Sequence, residues 1–134
     1  MSRAKEIVDR MMAGDAFSRW LGIERIADGA GKSRLRMTVR KEMMNGFGVA
    51  HGGITYSLAD SALAFASNGH GRYALSIETS ISHLAPVHAG DILETEVIEQ
   101  SLKKTIGVYE VRITNQDQTL VALFKGTVFR KGDW

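Results

Sequence analysis

Residues 53–68 read GITYSLADSALAFASN. Ile54, Leu58, Ala62, Phe65 and Ala66 recur at helical spacing and no proline interrupts them, which predicts a helix. Apolar positions extend round most of the circumference, so burial on several sides is expected. Asn68-Gly69 supplies a stop signal. One residue is out of character: Asp60 places a carboxylate among Leu58, Ala59, Ala62 and Leu63.

Upstream of this helix, residues 41–52 form a loop with three glycines. Before it, SRLRMTV at 33–39 sets Leu35, Met37 and Val39 against Arg34, Arg36 and Thr38, a strand with one wet face. Residues 3–13 carry Ile7, Met11 and Met12 at helical spacing, and Gly14 can end that helix. Asp15 is placed to cap a second, short helix through AFSRWLGI. Downstream, YALSIETSISHLA (73–85) puts Tyr73, Leu75, Ile77, Thr79 and Ile81 on one face and Ser76, Glu78 and Ser80 on the other. HAGD at 88–91 is a turn, followed by strands in ILETEVIEQSL, TIGVYEVRITN and TLVALFKGTVFR. NQDQ at 115–118 makes the last two strands antiparallel neighbours. The predicted order is helices, strand, long helix, four strands. One helix wrapped by a curved, mostly antiparallel sheet, an α+β architecture, satisfies it. A single domain over 1–134 is expected, with 1–30 as an N-terminal helical segment.

The chain has 134 residues, 44% apolar and 24% charged, enough for one domain with a real core. A net charge of +2 does not argue for a nucleic-acid partner. There is no cysteine, which excludes disulfides, cysteine nucleophiles and thiolate-bound metals and fits a reducing, cytoplasmic setting. The N-terminal sequence has no apolar run of the signal-peptide kind. No stretch approaches the roughly 18 apolar residues of a membrane span. His70, His83 and His88 have no helical pairing that would suggest a catalytic zinc.

The stretch NGFGVAHGGITYSLAD (45–60) concentrates the chemistry. Each residue has an ordinary reading. Asp60 can be a structural buried acid, Gly52-Gly53 a tight entry to the helix, His51 a satisfied loop residue and Asn45 a turn residue. The functional reading joins them. The start of a buried helix offers unpaired N–H groups and the positive end of the dipole, and glycine lets a carbonyl oxygen approach. A poorly hydrated carboxylate can be a nucleophile or general base, so the set suits acyl transfer to water. Gly52 and Asp60 are eight residues apart, about 12 Å along a helix. One reacting carbon cannot sit about 3 Å from both within a single chain. Two antiparallel helices across a two-fold axis would bring Asp60 of one subunit to Gly52 of the other.

Asn45, HGG at 51–53 and SLAD at 57–60 together resemble the hotdog-fold acyl-CoA thioesterases, in particular the PaaI-type enzymes of phenylacetate degradation. The likeness continues through HLAPVHAGDILETEV (83–97) and GVYEVRITNQDQTLVALFKGT (107–127), and covers roughly residues 40–130. It implies a hotdog fold with helix 53–68 wrapped by an antiparallel sheet, protomers paired into dimers, and dimers paired into tetramers. It implies hydrolysis of an acyl-CoA thioester to the free acid and coenzyme A, without cofactor or metal. Asp60 then matches the catalytic carboxylate, as nucleophile or as base for water, and the Gly52 amide polarises the thioester carbonyl. Asn45 lies across the interface from Asp60, His51 supports the loop, and Ser76 stands near the attacking water. Gly53 is expected at the substrate, and Lys103, Lys104 and Arg130 are basic candidates for the phosphates of coenzyme A. Met43, Met44, Phe47, Tyr56 and Trp20 are the apolar groups available to an aryl-acetyl or medium-chain acyl pocket. Two other classes remain: a hotdog protein that binds acyl-CoA without turnover, as sensor or carrier, and a hotdog hydratase or dehydratase. Asp60 argues against the first, and HGGITYSLAD does not look like the second.

Overall fold

The structure, a computed structural model, describes residues 2–134; Met1 of the expected domain lies outside them. Two short helices lead, α1 (Arg3–Ala13) and α2 (Ala16–Leu21). Ser2 and Asp15 cap them through side-chain oxygens that accept from Lys5 N and Ser18 N, satisfying amides that lack intrahelical partners. The hairpin β1 (Glu24–Gly29) and β2 (Lys32–Thr38) follows, then a 3-10 turn at Lys41–Met43 and the long α3 (Gly52–Asn68). Four strands complete the chain: β3 (Arg72–His83), β4 (Ile92–Leu102), β5 (Ile106–Thr114) and β6 (Leu120–Asp133). They form one open antiparallel sheet of six strands in the order β1-β2-β4-β5-β6-β3.

The sheet curls round α3. Ile54, Leu58, Ala62, Phe65 and Ala66 are buried, as their spacing predicts, and so are Ala59 and Leu63. From the sheet side, Leu35, Met37, Leu93, Tyr109, Val111, Ile113 and Phe124 close on them, each fully buried. β5 alternates buried and half-buried along its length, the mark of a strand with one face in the core. This is the hotdog arrangement. The C-terminal end of α3 needs glycine for a close approach: a Cβ on Gly69 would stand 2.4 Å from the Gly29 carbonyl oxygen. The β1–β2 turn is bonded to the same helix end through Gly31 N to Ala66 O, 3.0 Å.

Two expectations are corrected. Residues 24–29 are a strand, not part of a helical segment over 1–30. β1 is an edge strand with a bulge between Arg25 and Ala27 and carries no apolar alternation for a period-two pattern to reveal. It is held by its pairing to β2 and by Arg25, whose guanidinium meets Asp9 at 2.7 Å and Asp28 at 2.6 Å. In β3 the assigned faces hold for Thr79, Ser80 and Ile81 but fail for residues 73–77. The bulge between Ser76 and Glu78 leaves Ile77 without a partner and flips the alternation of β3 once; the irregularity between Tyr73 and Ala74 skips Lys131 of β6 instead. Ala74 is buried while Tyr73, Leu75 and Ile77 are 40%, 51% and 60% exposed.

Candidate active site

One seam of α3 is left open by its own sheet. Gly53 is exposed and Ser57, Asp60 and Ala64 are half-buried, at spacings of four, three and four that put them on one stripe. Asp60 lies on this seam at the wall of a cavity of about 410 Å³, with Asp15, Leu63, Ser76, Tyr73 and Trp134 among its other walls. Its carboxylate makes no hydrogen bond or ion pair with any described residue. Burial pushes its pKa up, and the charge of Asp15 adds to the rise. Asp15 is fixed there by its capping role. One oxygen accepts from Ser18 N (2.9 Å) and the other from Ser18 Oγ (2.6 Å). With that hydrogen committed, Ser18 Oγ accepts from Ser61 Oγ of α3 at 2.8 Å. A chain of buried hydroxyls thus ties α2 to α3 beside Asp60.

Gly52 opens elsewhere. It borders a second cleft, of about 400 Å³, with Thr55, His83, Pro86, Val87 and Val121, and no wall residue is common to the two. The N–H groups of Gly52 and Gly53 have no acceptor among the described residues, as the first turn of a helix dictates. His83 had no role assigned from sequence, yet it stands over Gly52: a Cβ there would lie 3.1 Å from its Nε2. Thr55 Oγ1 donates to Gly52 O (3.1 Å) and stands 3.3 Å from His83 Nδ1. The Nε2 end of the ring therefore faces Gly52 while its Nδ1 end is turned to Thr55. Only its place in HLAPVHAGD pointed to it.

The structure distributes the other candidates unevenly. Ser76 shares the Asp60 cavity. Asn45 Oδ1 is engaged within its own loop, accepting from Phe47 N (2.8 Å) and Val49 N (3.4 Å), which leaves its Nδ2 hydrogens for other partners. His51 precedes α3 but its side chain caps nothing; its backbone binds Met43 O and Ile54 N. Lys103, Lys104 and Arg130 come together at the β4–β5 turn, where Arg130 donates to Lys103 O at 2.6 Å. None of the three lines either cleft. Four of the apolar groups expected at the pocket are elsewhere as well. Met43 is buried core, Phe47 is 92% exposed at the loop tip, Trp20 stacks on Phe17 outside, and Tyr56 meets Phe124 edge-on while its hydroxyl bonds to Thr79. A larger concavity, of about 790 Å³, lies on the outer sheet face, where Glu94 already pairs with Arg34 and Arg36. Among the described residues no group of three His, Asp or Glu is placed to hold a metal ion, and no helix is long and apolar enough to cross a membrane.

The sequence profile of the Thioesterase superfamily matches residues 47–122, which contain both clefts' helix. The chain belongs to the thioesterase superfamily. As a member of it, the protein is a thioester hydrolase. It is 40% identical over 122 residues to the acyl-coenzyme A thioesterase PaaI of Escherichia coli, covering 91% of this chain and 87% of the relative. The solved structure of the E. coli PaaI protein from the phenylacetic acid degradation operon superposes with a TM-score of 0.94 at 38% identity, over 97% of this chain and 94% of that one. A Streptococcus mutans protein solved bound to acetyl CoA matches with a TM-score of 0.80 at 27% identity, over 83% and 90% of the two chains. Within this superfamily, the open seam of α3 and the two separate clefts are the features of this chain that bear on chemistry.

Proposed function

We propose that the protein is an acyl-CoA thioesterase that hydrolyses aryl-acetyl-CoA, of the phenylacetyl or hydroxyphenylacetyl type, or medium-chain acyl-CoA, at sites shared between two subunits. The observation that carries this is Asp60: a half-buried carboxylate without a partner among the described residues, on the uncovered seam of the helix whose first amides find no acceptor among them either. β3 is a 12-residue edge strand with Leu75 and Ile77 exposed, an edge that calls for cover. Pairing β3 with its twin would join the sheets and set the two α3 helices antiparallel along Gly53, Ser57, Asp60 and Ala64, whose small side chains permit close approach. The midpoint between residues 52 and 60 puts the axis beside Tyr56 and Ser57. Pairs of dimers then make a tetramer.

In this arrangement the thioester carbonyl rests on the Gly52 amide of one subunit, with Gly53 next to it and His51 and Asn45 holding the entry loop. The partner's Asp60 either attacks the carbonyl carbon or takes a proton from the attacking water, with Ser76 in the same cavity to hold that water. The oxyanion collapses, the C–S bond breaks, and coenzyme A leaves as thiolate and is then protonated; where Asp60 is the nucleophile, water next cleaves the acyl–Asp60 anhydride, which frees the acid and restores the carboxylate. Lys103, Lys104 and Arg130 meet its phosphates. No metal, cofactor or nucleic acid is required, and the setting is cytoplasmic. Incubation with phenylacetyl-CoA or benzoyl-CoA and a thiol reagent tests the reading. Release of free thiol is expected; tight binding without release would instead make the protein a sensor or carrier.

The neighbouring acid gives this reading a pH signature. Asp60 works as the carboxylate, and Asp15 is the second cause of its raised pKa, after burial. Asp15→Asn keeps a competent cap for α2, since Asn caps as well as Asp, and removes the charge. The acid limb of kcat/KM should move to lower pH. An unmoved limb would leave burial as the whole cause.

A further inference from the structure

We propose that Trp134, together with Tyr73, forms the wall of the acyl pocket that selects a planar aromatic acyl group. This rests on the thioesterase reading and on Asp60 acting from its own cavity. The aromatic residues expected at the substrate lie outside that cavity, and among the described residues its ring-bearing walls are Tyr73 and Trp134. They meet each other with centroids 5.1 Å apart and planes tilted by 38°.

The indole is held at its nitrogen and over its ring, and the residue's backbone is tied as well. Its Nε1 donates to Asn68 Oδ1 at 2.8 Å, and its backbone N donates to Gly71 O at 3.0 Å. The Arg10 guanidinium lies 5.2 Å from the ring centroid. Asn68 is itself buried and bonded through both ends of its amide. Its amide nitrogen donates to Ala64 O (2.8 Å) and Ala74 O (3.0 Å), and its oxygen also accepts from Ala74 N (2.9 Å). A ring fixed before the ligand arrives loses little freedom on binding, which turns its contact area into affinity. The cavity's volume of about 410 Å³ is at the small end for ligand pockets, which favours a compact acyl group over a long chain. Its charged walls, Asp15 and Asp60, are both acids, which disfavours an anionic acyl group. A neutral ring can stack on the indole or meet the phenol edge-on; an aliphatic chain of similar length gains less from either.

The test compares phenylacetyl-CoA with hexanoyl-CoA by kcat/KM in the full-length protein, Trp134→Ala and Trp134→Phe. Trp134→Ala should lose about tenfold on phenylacetyl-CoA and less than about twofold on hexanoyl-CoA. Trp134→Phe should restore most of the loss, because it returns a ring without the indole N–H. A variant that had merely loosened α1 or α3 would lose both substrates together. An equal fall on both, or no change on either, overturns the assignment while leaving the thioesterase reading intact. A wild-type protein that releases thiol from neither substrate overturns that reading and the assignment with it.

Discussion

Asp60→Asn should abolish most turnover and leave a protein more stable than the wild type at neutral pH. The loss expected is about two to four orders of magnitude in kcat, the range for removing a positioned acid–base group. Asn keeps the shape and size of the side chain, so substrate binding should change much less. The stability gain follows from the same environment. In the folded protein the Asp60 pKa is raised by burial and by Asp15, so ionising it is harder in the native state than in the unfolded chain. The folded protein therefore loses stability as pH climbs from the unfolded value through the folded one, and that deficit persists above it. Asn carries no such deficit. Thermal unfolding should show a higher midpoint for Asp60→Asn at neutral pH, with the gap closing under acid, where the wild-type carboxyl is protonated in both states. A variant with near-normal turnover would end the catalytic role. One that unfolds at lower temperature than the wild type would make Asp60 a structural acid.

The elements with strong periodicity were legible in the sequence. α3 shows its helix through Ile54, Leu58, Ala62, Phe65 and Ala66 and ends at Asn68 as read. Gly14 and Asp15 mark the break between α1 and α2, and β4, β5 and β6 fall on the predicted runs. What was hidden had a physical cause in each case. β1 is an edge strand held by its neighbour and by the ion pairs of Arg25, so its side chains show no buried face. In β3 a bulge at Ile77 reverses which residues face inward on its two sides, and the sequence itself carries no signal of where that bulge falls. The aromatic residues nearest the motif were not those at the Asp60 cavity, because that wall comes from the start of β3 and from the residue after β6, distant in sequence and joined by Asn68. The motif named Asp60 and Gly52; it could not show that Thr55 and His83 shape one cleft and Asp15 charges the other.

Two inactive variants should restore each other. Within one subunit Asp60 and Gly52 open into separate cavities that share no wall residue, and about 12 Å of helix lies between them. If the reaction uses both, each working site takes its acid from one chain and its amide from the other. Gly52→Val puts a branched side chain where a Cβ would already be 3.1 Å from His83 Nε2. It crowds the approach to the amide and should cost about two to three orders of magnitude in kcat, like the loss of an oxyanion donor. In a mixed dimer of Asp60→Asn with Gly52→Val, one site contains both lesions and the other contains neither. Random exchange makes half of the dimers mixed, so the equimolar mixture should recover about one quarter of wild-type activity. The recovery should appear only after subunits exchange, by dilution and reconcentration or by refolding together, and both parents should elute on size exclusion with the wild-type assembly. A mixture that stays at the sum of its two parents, although mass spectrometry shows mixed dimers, would mean that the two groups do not act on one substrate across the axis.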